Sequence, residues 1–233
     1  MNRRTLLLLA ATAGVAVIVA AQTVSQSWSD PAVLGTAPTV RPGSDVLAGV
    51  DVVDARVRES DYRRGAFGGA WDDDNSAPGG RNGCDTRDEI LARDLMDKTF
   101  VSTKRCPQAV SGGTLRDPYT NATVAFIRGN QVGASVQIDH IVPLAFAWDM
   151  GARDWTDGLR KRFANDPANL IAVAGQANHD KSDQAPGEWM PPNHAFWCQY
   201  AVQFAEVLRG YRLAVDEASA RTLREATNTC PAG

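Results

Sequence analysis

One mostly apolar run that closes on two adjacent polar residues constrains this chain more than any other stretch: Val136-Gln137-Ile138-Asp139-His140-Ile141-Val142-Pro143-Leu144. It reads as a strand. Neighbouring residues on a strand point to opposite faces, so Asp139 and His140 serve one site only if the strand ends or twists there, and Pro143 just beyond agrees with that. Two further polar groups follow in order, Asn169 before Leu170-Ile171 and then Asn178-His179-Asp180-Lys181. A carboxylate (Asp139) and an amide oxygen (Asn178) are hard donors for a divalent cation such as Mg²⁺ or Mn²⁺. An imidazole beside them (His140) can deprotonate water, and a second amide (Asn169) can pin the loop or the ring. Lys181, three residues after Asn178, shares its helix face and could meet a phosphate; plain solvent exposure is the simpler reading.

The N-terminus reads as an export signal. Arg3-Arg4 supplies the positive start, Leu6 to Ala21 is uncharged and mostly apolar, and Val19-Ala20-Ala21 offers small residues for cleavage. The expected layout is a signal over 1–21, a flexible Ser/Thr/Pro/Gly-rich tether over 22–45, and one domain over 46–233 with its core motif at about 134–183. The alternative is an uncleaved membrane tether. Export makes two disulfides the default for Cys84, Cys106, Cys198 and Cys230. Of the three pairings, Cys84–Cys106 with Cys198–Cys230 is favoured, since each closes a local loop around one helical unit.

Charge tells against a simple nucleic-acid binder. The chain has 24 basic and 27 acidic residues; without Arg3 and Arg4 the balance is 22 against 27, or −5. Non-specific affinity for nucleic acid comes from clustered Lys and Arg, so any such surface must be local. Arg153, Arg160, Lys161 and Arg162 lie near the motif, with a solvated helix face as the plain alternative. The run Asp72-Asp73-Asp74-Asn75 lacks the glycine and glutamate register of a calcium loop and reads as a surface loop.

Between these landmarks, Thr86-Arg87-Asp88-Glu89 fits a capping box opening a helix that ends near Lys98. Arg87 on it is either surface charge or a phosphate contact. Ala122 to Ile127 and Ala134 to Val142 read as a hairpin turning at Arg128-Gly129-Asn130. Two short helices follow over 144–151 and 155–164, then a strand over 169–174 and a turn-plus-helix over 175–183. Phe196, Tyr200, Phe204 and Leu208 stripe one helix face as core, and a last helix runs from about Asp216 to Ala226.

The ordered set resembles the HNH nucleases, and within them a secreted bacterial branch related to the nuclease domain of GmrSD-type restriction enzymes. It is carried by Gln137 to Leu144, Trp148 with Gly151-Ala152 and Trp155, Phe163 to Leu170, Asn178 to Asp183, Trp189 to Asn193, and upstream by Asn82 to Arg87 and Gly113 to Tyr119. It spans about residues 60 to 231. The resemblance implies an α+β fold with a ββα-metal core and added helices. It also implies Asp139 and Asn178 on one metal, with His179 the alternative ligand, His140 as base, Asn169 in the middle position and Lys181 completing an Asn-x-x-Lys pattern. Arg87, Arg160 and Arg162 are then the candidate phosphate contacts. The expected protein is a secreted, monomeric endonuclease of DNA, with RNA a second substrate and no stable membrane association after cleavage. The rival readings are a zinc hydrolase using His140, His179 and a carboxylate, and a non-catalytic binding module. His194 is expected to be structural.

Overall fold

The computed structural model describes residues 38–231 apart from 42 and 130–133. The expected signal, and the tether as far as residue 37, lie outside the described residues. The chain is a mixed α/β protein with two disulfides. Its elements are β1 (Val52–Val53), α1 (Thr86–Asp94), β2 (Met96–Val101), β3 (Ala109–Arg116), β4 (Thr123–Ile127), β5 (Val136–His140), α2 (Leu144–Asp149), α3 (Asp157–Asn165), β6 (Leu170–Ala174), α4 (Gly175–Lys181), α5 (Trp197–Tyr211), β7 (Val215–Asp216) and α6 (Glu217–Ala226). Short 3-10 turns link several of them, including Arg64–Phe67.

β6 explains the layering. Its run Leu170-Ile171-Ala172-Val173 is buried on both faces. Leu170 and Ala172 pack with α1, β3 and β4, while Ile171 and Val173 pack with the aromatic stripe of α5 and with α2, α3 and α6. With a side-chain period of two, one strand thus joins two apolar clusters. The antiparallel pair β5-β6 lies between them. Tyr200, Phe204 and Leu208 on α5 are fully buried, as the four-residue spacing requires.

The strand pairing corrects the sequence reading. β4 pairs with β3, through the turn at Asp117 to Asn121, and β5 pairs instead with β6, so the expected hairpin of 122–127 with 134–142 does not form. Asn121 takes a left-handed φ of 62° in that turn, which asparagine tolerates better than most side chains. α1 is also shifted. Asp85, not Thr86, caps it, accepting from the Asp88 amide at 2.8 Å. Thr86 turns its hydroxyl to Asn165 at 2.9 Å and Glu89 bonds Asn82, so no capping box closes. The helix stops at Asp94 rather than Lys98, because Met96 onward pairs with β3.

Both disulfides take the favoured pairing, Cys84–Cys106 and Cys198–Cys230. Loop closure over separations of 22 and 32 residues contributes about 3–4 kcal/mol each. The end of the expected tether is not free chain: Val40 bonds Pro231 through the backbone and Asp45 pairs with Arg224 at 2.9 Å. Asp72, Asp73 and Asp74 form a surface loop whose carboxylates are engaged by Lys161, by the amides of Asn82 and Gly83, and by Arg81. Among the described residues no helix is long and apolar enough to cross a membrane.

Candidate active site

β5, β6 and α4 bring the motif together. β5 ends at His140, which pairs with Leu170, and α4 follows β6 directly. Asp139, His140, Asn178 and His179 line one cavity of about 330 Å³, together with Tyr62, Arg64, Gln137 and Pro143. The strand ends where the two neighbours must share a site, as the geometry of a regular strand demands.

His140 is buried, and its Nε2 lies 2.9 Å from the Ala164 carbonyl. A carbonyl can only accept, so Nε2 carries the proton and Nδ1 keeps the lone pair. Ala164 sits in the last turn of α3, where carbonyls lack intrahelical partners. Trp71 stacks on the ring, 5.5 Å between centroids and 12° between planes. Burial pushes the imidazole down to about 4, aided by the Arg64 and Lys181 charges and opposed by the Ala164 bond and Asp139. His140 is therefore neutral across the physiological range.

Asp139 is held on one oxygen. Its Oδ2 accepts from the Tyr119 hydroxyl at 2.5 Å and pairs with Lys181 Nζ at 2.8 Å. Burial, and then the charge of Asp139, push the Tyr119 phenol well above its ordinary value, so it stays a donor. The turn that presents Tyr119 is tied to β6 by Asp117, which accepts from the Ala174 amide at 3.0 Å, and to Asn193, which donates to the Pro118 carbonyl at 2.9 Å. Tyr200 is also buried beside Asp139, which helps raise its phenol well above the usual range.

Several expected roles change here. Asn169 pins the loop rather than the ring: its Oδ1 accepts from the Val142 amide at 2.8 Å and its Nδ2 donates to the Val142 carbonyl at 3.2 Å. Lys181 is neither solvent-exposed nor placed to meet a phosphate, being 0% exposed with Nζ also 2.8 Å from the His140 carbonyl. The three candidate phosphate arginines serve the scaffold, and none lines the cavity. Arg87 donates to the Val136 carbonyl, Arg160 to the carbonyls of Ala66, Ala152, Arg153 and Trp155, and Arg162 to that of Ser76. His194 stacks on Trp197 and does not line the cavity.

Sequence reading missed Tyr119, Trp71 and Arg64. Tyr119 lay inside the segment that carried the resemblance, but nothing local aimed it at Asp139. Arg64 and Trp71 flank Phe67-Gly68-Gly69, whose glycines carry no sign of a site, and both come to His140 only through tertiary folding.

The donors suit a hard cation. Asp139 and Asn178 present oxygen atoms to one cavity, and Asn178 Nδ2 donates to Gln137 Oε1 at 2.7 Å, which turns the amide oxygen into its remaining ligand atom. His179 is exposed on the same cavity. Among the described residues no group of three His, Cys, Asp or Glu side chains is gathered as a metal site, so the zinc-hydrolase reading lacks its three ligands.

An uncharacterized secreted protein of the fungus Arthroderma benhamiae is 39% identical over 149 residues, covering 63% of this chain and 68% of its own. That relative removes the bacterial restriction from the resemblance. No solved structure matches. The family model described as "GmrSD restriction endonucleases, C-terminal domain" matches residues 85–226, from the cap of α1 to the end of α6, and the chain belongs to that family.

Proposed function

We propose that this chain is a secreted endonuclease that hydrolyses phosphodiester bonds of DNA, and of RNA as a second substrate, with one divalent metal ion, Mg²⁺ or Mn²⁺. The observation that carries the reading is the tautomer of His140. Its proton is fixed on Nε2 by a backbone carbonyl, which leaves the lone pair on Nδ1, and the ring lines the same cavity as Asp139 and Asn178. Such a nitrogen takes a proton from water as the water attacks phosphorus. Trp71 holds the ring plane and excludes solvent from one face. The metal, held by Asp139 and Asn178, would supply charge neutralisation at the phosphate and the leaving oxygen. Tyr119 and Lys181 fix the Asp139 carboxylate, and Asn169 fixes the loop after His140. Family membership, the secreted relative and two disulfides support an exported nuclease acting on nucleic acid.

The test is plasmid and oligonucleotide degradation by the oxidised protein with EDTA, Mg²⁺ or Mn²⁺, beside His140→Ala. Metal-dependent cutting lost in a folded variant is the expected result. Equal turnover in the variant would remove His140 as base, and no cutting with any metal would favour a binding module.

A further inference from the structure

His140 is a wall between two cavities. Beyond the one shared with Asp139 and Asn178 lies a second, of about 250 Å³, bounded by Phe67, Gly68, Trp71 and Leu144, with Arg64 and His140 as its charged or polar side chains. Arg64 lines both cavities. It is exposed, and it forms no ion pair or hydrogen bond with any described residue. Its charge is nonetheless felt at His140. The 3-10 turn that bears it is held from below: Arg160 donates to the Ala66 carbonyl at 3.1 Å, and Lys161 packs under Gly68.

An unpaired guanidinium at the seam of two cavities fits an anion that bridges them. If the first cavity processes a phosphodiester, the strand must continue past that phosphate on each side, and on the His140 side the space it meets is this one. Its walls are apolar and glycine-rich with one indole, which suits the flat face of a base and offers no carboxylate to repel the backbone. A base stacked within a duplex cannot enter. The chain's net acidity leaves little counterion release to draw duplex in, so stacking has to contribute to affinity.

We propose that the second cavity is a nucleoside subsite: it takes one unstacked base of the strand being cut while Arg64 holds the phosphate between the cavities, so unpaired strands are preferred. The proposal rests on the nuclease reading above.

The experiment walks a single abasic residue along an end-labelled single-stranded oligonucleotide and maps cuts made by the oxidised protein with Mn²⁺. Cutting should fall about tenfold at the bond on one side of the abasic residue and stay unchanged on the other, as expected for loss of one base–aromatic stack. The same sequence as a duplex should be cut more slowly. Gly65→Leu adds a side chain at the cavity rim, where a Cβ meets nothing within 4 Å, so the variant should melt with the parent. It should cut the intact strand about as poorly as the parent cuts beside the abasic residue. The abasic substitution should then cause little further loss. Equal cutting on both sides of the abasic residue in the parent would overturn the subsite while leaving the nuclease standing. No cutting of any intact strand would overturn both.

Discussion

Lys181→Met tests the most exacting contact in the site. The lysine is 0% exposed, and its Nζ lies 2.8 Å from both Asp139 Oδ2 and the His140 carbonyl. Methionine fills most of the volume but leaves a buried carboxylate and a buried carbonyl without their donor. Breaking a buried pair by removing one partner costs roughly 3–5 kcal/mol. Here the lower end is expected, since Tyr119 still donates to the same oxygen at 2.5 Å. A loss of about 3 kcal/mol corresponds to about 6–12 °C in Tm for a domain of this size. The assay is urea unfolding with disulfides intact and EDTA present. Mn²⁺ should then restore part of the loss in the variant, because it replaces the missing positive charge beside Asp139. A loss below about 1 kcal/mol would refute the inward placement of Lys181, since only exposed pairs contribute so little.

Three further outcomes follow from the same geometry. With the His140 pKa near 4, kcat/KM should hold as pH falls to about 5.5, where a histidine of ordinary pKa would keep only about a tenth of its base form; a pH–rate profile with its acid limb near 6.5 would contradict this. Arg64→Ala should lower kcat/KM by roughly 10–100-fold through loss of a charge-assisted phosphate contact, leave Tm unchanged, and raise the His140 pKa because the Arg64 charge lowers it; unaltered kinetics on oligonucleotides would remove Arg64 from the site. Glu89 is raised to about 7, chiefly by burial and then by Asp73 and Asp85 against the Asn82 bond. Between about 4.5 and 7 the folded state then binds the extra proton, so this group's contribution falls as pH rises. Glu89→Gln should accordingly stabilise the protein by about 1 kcal/mol at pH 8, after discount for solvent screening, and by nothing at pH 4; equal effects at both pH values would argue against a raised carboxyl. His140 acts oppositely: its folded pKa is depressed, so its stabilisation is complete above about 6.5 and is lost as pH falls toward 4.

What the sequence revealed was local. The order of Asp139, His140, Asn169 and Asn178, the stripe on α5 and the loop-closing cysteine pairs are all patterns within one element or its neighbours. Which strand pairs with β5 was hidden, because alternation marks a strand's faces and not its partner; β4 and β6 were equally good mates on pattern. Lys181 failed for a related reason. Helical spacing placed it on the face of Asn178, but whether that face looks to solvent or to β5 depends on how α4 packs. The arginines followed density of charge, whereas the structure employs Arg160 to brace the turn bearing Arg64. Asp85 and Thr86 are both good caps, and the choice fell to Asp85 once the Thr86 hydroxyl bonded Asn165.

The motif therefore mixes two kinds of residue, and they report different things. Asn169 grips both backbone groups of Val142, and Lys181 grips the His140 carbonyl. Together they hold the chain on each side of Ile141 and would be needed to keep this loop even in a protein that cuts nothing. Tyr119 and Lys181 likewise occupy one oxygen of Asp139. Their presence speaks for the fold. The His140 side chain is different: a buried, neutral imidazole with an unprotonated Nδ1 costs desolvation and does less for packing than an apolar side chain of that size would. A scaffold relieved of chemistry should drift to such a residue at position 140 while retaining Asn169 and Lys181. On the proposed reading, a histidine here, with its ring fixed by Ala164 and Trp71, is accordingly the feature whose replacement would turn a hydrolase into a binding module on the same frame.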